Sequence, residues 1–312
     1  MAGRFRSVAA LLLWLVTWDS RARGAQPKAT VPNGVILVKG AWSSASGLAA
    51  PLPEGGSIAN NVYANAYFGI SYPLPADWFQ KFEGPPPSDG GRYVLAQLTP
   101  ADTYKGPTRG NILITAQDMF FTPLPAANAL ELVTYAKEHL PVEYRLEKAP
   151  AQNEIAGRSF ALLAYWSPAA DLHWYVLATE IRCHTIELVL TSRDPMLLEH
   201  LIHQMNGMTL PEAIGPTAGR GGGAIPMCFK DYARDENVIE RVEPVLTEAR
   251  VNPVPVRIII NKNGTVQHIH FLSAFPDQVK AITDALTQWR FRPYLHDGRP
   301  VEVETGITFG RR

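Results

Sequence analysis

Cysteine is nearly absent from this chain: 312 residues carry only Cys183 and Cys228. That excludes a disulfide-dense scaffold and the cysteine-rich zinc modules, which need more thiols than two. An excess of either charge is also missing. Lys plus Arg number 29 and Asp plus Glu number 29, so no basic field exists to hold a phosphate backbone, and no nucleic-acid partner is expected. Long hydrophobic runs are lacking too. The most apolar stretch, Val8 to Trp18 (VAALLLWLVTW), covers about 11 residues, whereas a spanning helix needs about 20.

Catalytic signatures are equally scarce. There is no Gly-x-Ser-x-Gly elbow, and Glu199 to His203 (EHLIH) does not have the His-Glu-x-x-His spacing of zincins. His200 and His203 therefore read as the solvated side of a helix. His268 and His270 stand at i and i+2, which puts both on one face of a strand. With no Cys or acidic partner at ligand spacing, they read as an exposed strand face. Arg220 to Gly223 (RGGG) follows no strand and precedes no Lys-Ser/Thr, so it reads as linker and not as a phosphate loop. The sequence implies no metal, no cofactor and no enzyme.

What is present begins with an export signal. Arg4 and Arg6 precede the apolar run, and small residues at Ala22 and Gly24 offer cleavage sites. Residues 1–24 are expected to be a signal peptide and the mature chain periplasmic. The alternative is an uncleaved segment that anchors the chain in the inner membrane, facing the periplasm. Once exported, Cys183 and Cys228 have two readings: a disulfide tying two domains together, or two partly buried thiols.

Residues 25–61 are rich in Ala, Pro, Gly and Ser and read as a low-complexity tether with one short strand at Val35 to Val38. From residue 62 to 210 short β-like runs alternate with two amphipathic helices, Ala126 to Leu140 and a second opened by Asp194 and Pro195. Trp166, Trp174 and Tyr175 fall among those strands and read as packing residues, with a ligand groove as the other reading. Residues 211–226 form a Gly/Pro linker. Residues 227–312 read helix, strand, turn, strand, helix, strand, with the first helix broken at Pro244 and a hairpin at Asn263-Gly264. The fold class is α+β: an antiparallel sheet with packed helices, then a small αββαβ domain.

The stretch from Pro244 to Phe309 resembles the C-terminal domain of TonB-type energy transducers. The resemblance rests on Trp289, Phe291 and Pro293, on Gly298, Pro300 and Val301, and on a final strand ending at Phe309. It implies that Trp289, Phe291 and Phe309 anchor the fold, that Pro293 stops the helix, and that Gly298 makes the turn. It further implies that the last strand, Val301, Glu302, Val303, Glu304, Thr305 and Ile307 among it, is an edge strand that accepts partner peptides by strand addition. Partners would then be envelope proteins or peptides, including outer-membrane receptors. The chain lacks the family's long spanning helix and Pro-rich rod, so a diverged, inner-membrane transducer is the second reading. Residues 62–210 resemble PsbP-like domains through Gly69, Pro75, Trp78 and Gly157, which implies a binding role with no common catalytic site. Oligomeric state is left open.

Overall fold

The computed structural model describes residues 42–44, 56–82, 91–101, 109–211, 226–246 and 253–310. The leader, the Val35 to Val38 strand and the RGGG stretch lie outside the described residues. Among the described residues no helix is long and apolar enough to cross a membrane.

In chain order the first elements are β1 (Trp42–Ser44), β2 (Ser57–Ala59), β3 (Val62–Asn65), β4 (Ile70–Pro73), β5 (Trp78–Phe82), β6 (Arg92–Pro100) and β7 (Gly110–Asp118). Then come α1 (Ala129–Glu138), β8 (Arg145–Ile155), β9 (Arg158–Ser167), β10 (Leu172–Ile181), β11 (His184–Ser192) and α2 (Pro195–Met205). The tether reading therefore gives way to structure in two places, since β1 and β2 both fall within residues 25–61.

Strands β5 to β11 form a seven-stranded antiparallel sheet in the order β5-β6-β7-β11-β10-β9-β8, and β2-β3-β4 form a second small sheet. Period-two alternation gives the large sheet two distinct faces. Ile112, Ile114, Leu177, Ile186 and Leu188 pack with Leu198, Leu201 and Met205 of α2 and with Tyr63 and Phe68. Leu163, Tyr165, Trp174 and Ala178 pack on the other side with Ala129 and Val133 of α1. Adjacent residues Trp174 and Tyr175 thus serve opposite faces, while Trp166 stacks on His173 at 5.8 Å. Both helices start on side-chain caps: Asn128 Oδ1 accepts from the Glu131 amide, and Asp194 Oδ1 from the Met196 amide, with Pro195 at the first helical position.

The remaining elements are β12 (Met227–Cys228), β13 (Val238–Glu240), β14 (Val254–Ile260), β15 (Val266–Phe271), α3 (Pro276–Leu286), β16 (Arg290–Phe291), β17 (Tyr294–His296), β18 (Arg299–Val301) and β19 (Val303–Phe309). Four of these strands and β1 make a five-stranded sheet in the order β1-β15-β14-β19-β12. One face packs Val256, Ile258, Ile269, Phe271 and Phe309 with Ile282 and Leu286 of α3, and with Trp289 and Phe291. The fold is α+β.

Two expectations need correcting here. No helix forms at Glu236 to Val242. Val238–Glu240 is a strand paired with β16, because Trp289 Nε1 donates to the Val242 carbonyl at 2.8 Å and Arg241 lies over the Trp289 ring. Pro293 does not stop α3, which ends at Leu286 with a tightened turn: the Gln288 amide donates to Ala285 and the Trp289 amide to Leu286. The hairpin expected at Asn263-Gly264 joins β14 to β15, and within that pair Gly264 takes positive φ, at 80°. There the Phe291 amide donates to the Gly264 carbonyl at 2.8 Å, and a Cβ would stand 2.0 Å from the Phe291 oxygen.

Candidate functional site

The second face of the five-stranded sheet carries Arg257 from β14, Glu304 and Gly306 from β19, and His268 and His270 from β15. Cross-strand register sets Arg257 opposite both His270 and Gly306. This face is buried against the seven-stranded sheet. The exposed-face reading of His268 and His270 is wrong: they are 9% and 1% exposed. A sheet edge and a sheet face look alike in one strand's sequence, and here the packing of the other unit decides.

At the centre Arg257 is fully buried. Its Nη1 donates to Asp118 Oδ2 at 2.5 Å and to His184 Nε2 at 3.0 Å. Its Nε and Nη2 donate to Glu304 Oε1 at 3.1 and 2.5 Å. Asp118 ends β7 and also accepts from the Phe120 amide at 2.7 Å. One guanidinium fork therefore joins a carboxylate of each sheet, an arrangement that lysine, lacking the planar fork, does not reproduce. Arg257 lies 4.9 Å over the Phe120 ring. At Gly306 a Cβ would come within 2.6 Å of Phe120 Cβ, so glycine is needed for this close approach.

The geometry fixes the protonation of His184. Arginine only donates, so His184 Nε2 accepts; its Nδ1–H donates to the Arg182 carbonyl at 2.7 Å. The ring is neutral. In agreement, burial first and the Arg257 charge second hold it well below the ordinary histidine range. His270 is pushed down to about 3 by burial, again with help from Arg257. Burial pushes Asp118 and Glu304 up, and Arg257 pulls both back. Burial alone would lower Arg257, but the two carboxylates outweigh it and raise it well above its usual value. Tyr67, Phe68 and Tyr93 surround His184 edge-on at 5.9, 5.0 and 5.6 Å.

Beside this cluster Cys183 and Cys228 form a disulfide with Cα atoms 5.4 Å apart. Cys183 sits in the two-residue turn between β10 and β11, where Arg182 and Cys183 have φ of 49° and 59°. Neither is Gly or Asn, so the turn stores strain of order 1–2 kcal/mol per residue. The bond closes a separation of 45 residues, worth about 4 kcal/mol in the chain-entropy account. Cys183 Sγ lies 3.4 Å from Glu304 Oε2.

The edge-strand expectation also changes. β19 lies between β14, its antiparallel partner over Val303 to Phe309, and β12, its parallel partner at Val303 and Glu304. Val303, Glu304 and Thr305 are 1%, 4% and 0% exposed. Ile307 is half-buried opposite Val256, Val301 belongs to β18, and Glu302 links the two strands. Trp289, Phe291 and Phe309 are in the core, Pro293 is exposed after β16, and Gly298 completes the β17–β18 turn with φ 74°. His200 and His203 are on the solvent side of α2. Among the described residues no group of three His, Cys, Asp or Glu is arranged to hold a metal ion.

The sequence reading does not single out Arg257, Asp118 or His184, and it names Glu304 for the edge strand and not for a buried ion pair. The signal for Arg257 was a single cation inside the otherwise apolar run Val254 to Ile260.

No family model matches the sequence, and no curated protein matches it. Among solved structures a similar chain is that of LpqN, described as involved in cell envelope biogenesis of Mycobacterium tuberculosis. It is 12% identical, the match covers 46% of this chain and 83% of that one, and the TM-score is 0.30. At that score the likeness carries no argument about the fold or role of this chain.

Proposed function

We propose that the chain is an exported, non-enzymatic binding protein of the cell envelope, in which a PsbP-like unit and a TonB-C-like unit act as one rigid body. The observation that carries this reading is the Cys183–Cys228 disulfide between the two sheets, because such bonds persist in oxidising compartments outside the cytosol. The charged cluster supports a non-catalytic role. Arg257, Asp118 and His184 are all fully buried and satisfy one another, so they hold the two sheets in one orientation and present nothing to a substrate.

For recognition of extended peptides β15 is a second candidate edge, beside the part of β19 beyond Glu304 that β12 does not pair. Among the described residues, the six residues of β15 are paired on the outer side at His268, Ile269 and His270, by the three-residue β1. A partner strand that replaced β1 would gain a longer ladder than the one it displaced.

Mass spectrometry of the native protein after membrane fractionation tests the proposal. The expected species is soluble in the periplasmic fraction, lacks residues 1–22 or 1–24, and has no alkylatable thiol before reduction. A membrane-bound species of full mass would instead support the anchored, transducer-like alternative. A cytosolic species with two free thiols would defeat both.

A further inference from the structure

The disulfide has two unlike ends. Cys228 is exposed on the two-residue β12, whereas Cys183 is 2% exposed. Its Sγ faces Glu304 Oε2, and among the described residues no other hydrogen-bond partner approaches that oxygen, since both Arg257 bonds go to Oε1. A disulfide sulfur carries no proton. In the oxidised protein this buried carboxyl oxygen therefore faces a group that cannot donate to it. A thiol at Cys183 would donate to it directly. The site is thus better satisfied after reduction than before.

The mechanical consequence falls on β12. Besides the disulfide, β12 and the residues after it are held beside β19 by a short parallel ladder at Met227 and Cys228, flanked by bonds from the Met227 amide to the Glu302 carbonyl at 2.8 Å and from the Phe229 amide to the Glu304 carbonyl at 3.0 Å, and by the Thr305 hydroxyl, which donates to the Lys230 carbonyl at 3.5 Å. The two large sheets have a separate connection in the Arg257 fork, which does not pass through either cysteine.

We propose that the Cys183–Cys228 bond is a redox-operated latch: an external dithiol opens it at the exposed Cys228 sulfur, the released Cys183 thiol donates to Glu304 Oε2, and β12 leaves β19 while the Arg257 cluster keeps the sheets docked. The electrons balance. One thiolate of the dithiol attacks Cys228 Sγ, the S–S bond breaks, and the Cys183 sulfur leaves and takes a proton. The second thiolate then closes the external disulfide and releases Cys228, which takes the other proton. Two electrons and two protons pass from the dithiol to the protein. The latch stands on the disulfide and its surroundings, independent of any peptide partner.

The test uses the intact native chain without denaturant, equilibrated in mixtures of reduced and oxidised dithiothreitol. Alkylated cysteines are counted by mass spectrometry, and backbone amide exchange is followed. Cys228 is expected to be alkylated at least about tenfold faster than Cys183, given its exposure. Exchange at the Phe229 amide should rise about tenfold or more, while Ile258 in β14 keeps its protection. Cys228→Ser should show the same exchange pattern with no reductant present, and its remaining S–H stretching band should shift downward from that of a free thiol, as a bond to Glu304 requires. The proposal is overturned if the bond is reduced only as the protein unfolds, if Phe229 exchange is unchanged by reduction, or if β14 loses protection together with β12.

Discussion

The interior of either sheet and the contact between the two sheets are both buried, yet they are built from opposite materials. Within the sheets Phe160, Leu177, Leu188, Ile258 and Phe271 are apolar and close-packed. Between them the chain buries Arg257, Asp118, Glu304, His184 and His270. Apolar packing is non-directional and tolerates volume-conserving change, so it secures burial without fixing one arrangement. A guanidinium that must meet carboxylates of both units at once allows only a narrow range of orientations, and it leaves costly unpaired charge in any other. The interior therefore sets whether each unit folds, and the contact sets how they are joined.

The largest test of that contrast is Arg257→Leu against its neighbour Ile258→Val. Arg257→Leu leaves Asp118 and Glu304 buried without their cation and should cost about 3–5 kcal/mol in urea unfolding of the oxidised protein. Ile258→Val removes one methyl group from the apolar face and should cost about 1 kcal/mol. Replacing all three charges together, as Arg257→Met with Asp118→Leu and Glu304→Leu, should recover most of the loss, because an apolar contact needs no partner. If Arg257→Leu proved no worse than Ile258→Val, the contact would be packing like the interior.

These same residues mark the limit of what was legible in the sequence. Both helices of the first unit are legible, since 3.6-residue periodicity supplies the buried stripe and Asp194 and Pro195 mark the start of the second, whereas the cap of the first, Asn128, falls inside the span read as helix. The alternation of β19 was also readable, and Val303, Thr305 and Phe309 do face the core. What lay on its other side was not readable. Glu304 and Gly306 alternate as a solvated face would, and only the arrival of Asp118, Phe120 and Cys183 from far along the chain makes that face an interior. The strand at Val238–Glu240 departs from its helical pattern for the same reason. Its helix-like spacing lost to Trp289 and Phe291, which recruit that segment from some 50 residues later.

A second prediction concerns pH. His270 is held at about 3 in the fold against about 6.5 in the unfolded chain. Its folded value is depressed, so the unfolded state takes up a proton first as the pH falls. The stability it supports is fully present above about pH 6.5 and is lost as the pH falls toward 3. Compared with non-titrating His270→Gln, the native protein should lose about 2 kcal/mol between pH 7 and pH 5, read from urea midpoints of both proteins at each pH. A difference that does not change with pH would mean that His270 is hydrated and outside the sealed contact.

The smallest effect is the sharpest control on the meaning of an ion pair here. Lys280 and Asp284 face each other at i and i+4 on α3 with 2.6 Å between Nζ and Oδ2, as close as the Arg257 pairs, but their side chains are 78% and 60% exposed. Water screens both charges whether or not they meet, and holding two long side chains together costs rotamer entropy. Lys280→Ala should therefore change stability by no more than about 0.5 kcal/mol, and less still as salt is raised. A loss approaching that of Arg257→Leu would show that distance, and not burial, governs these pairs, and the contrast between the sheet contact and the rest of the surface would fail.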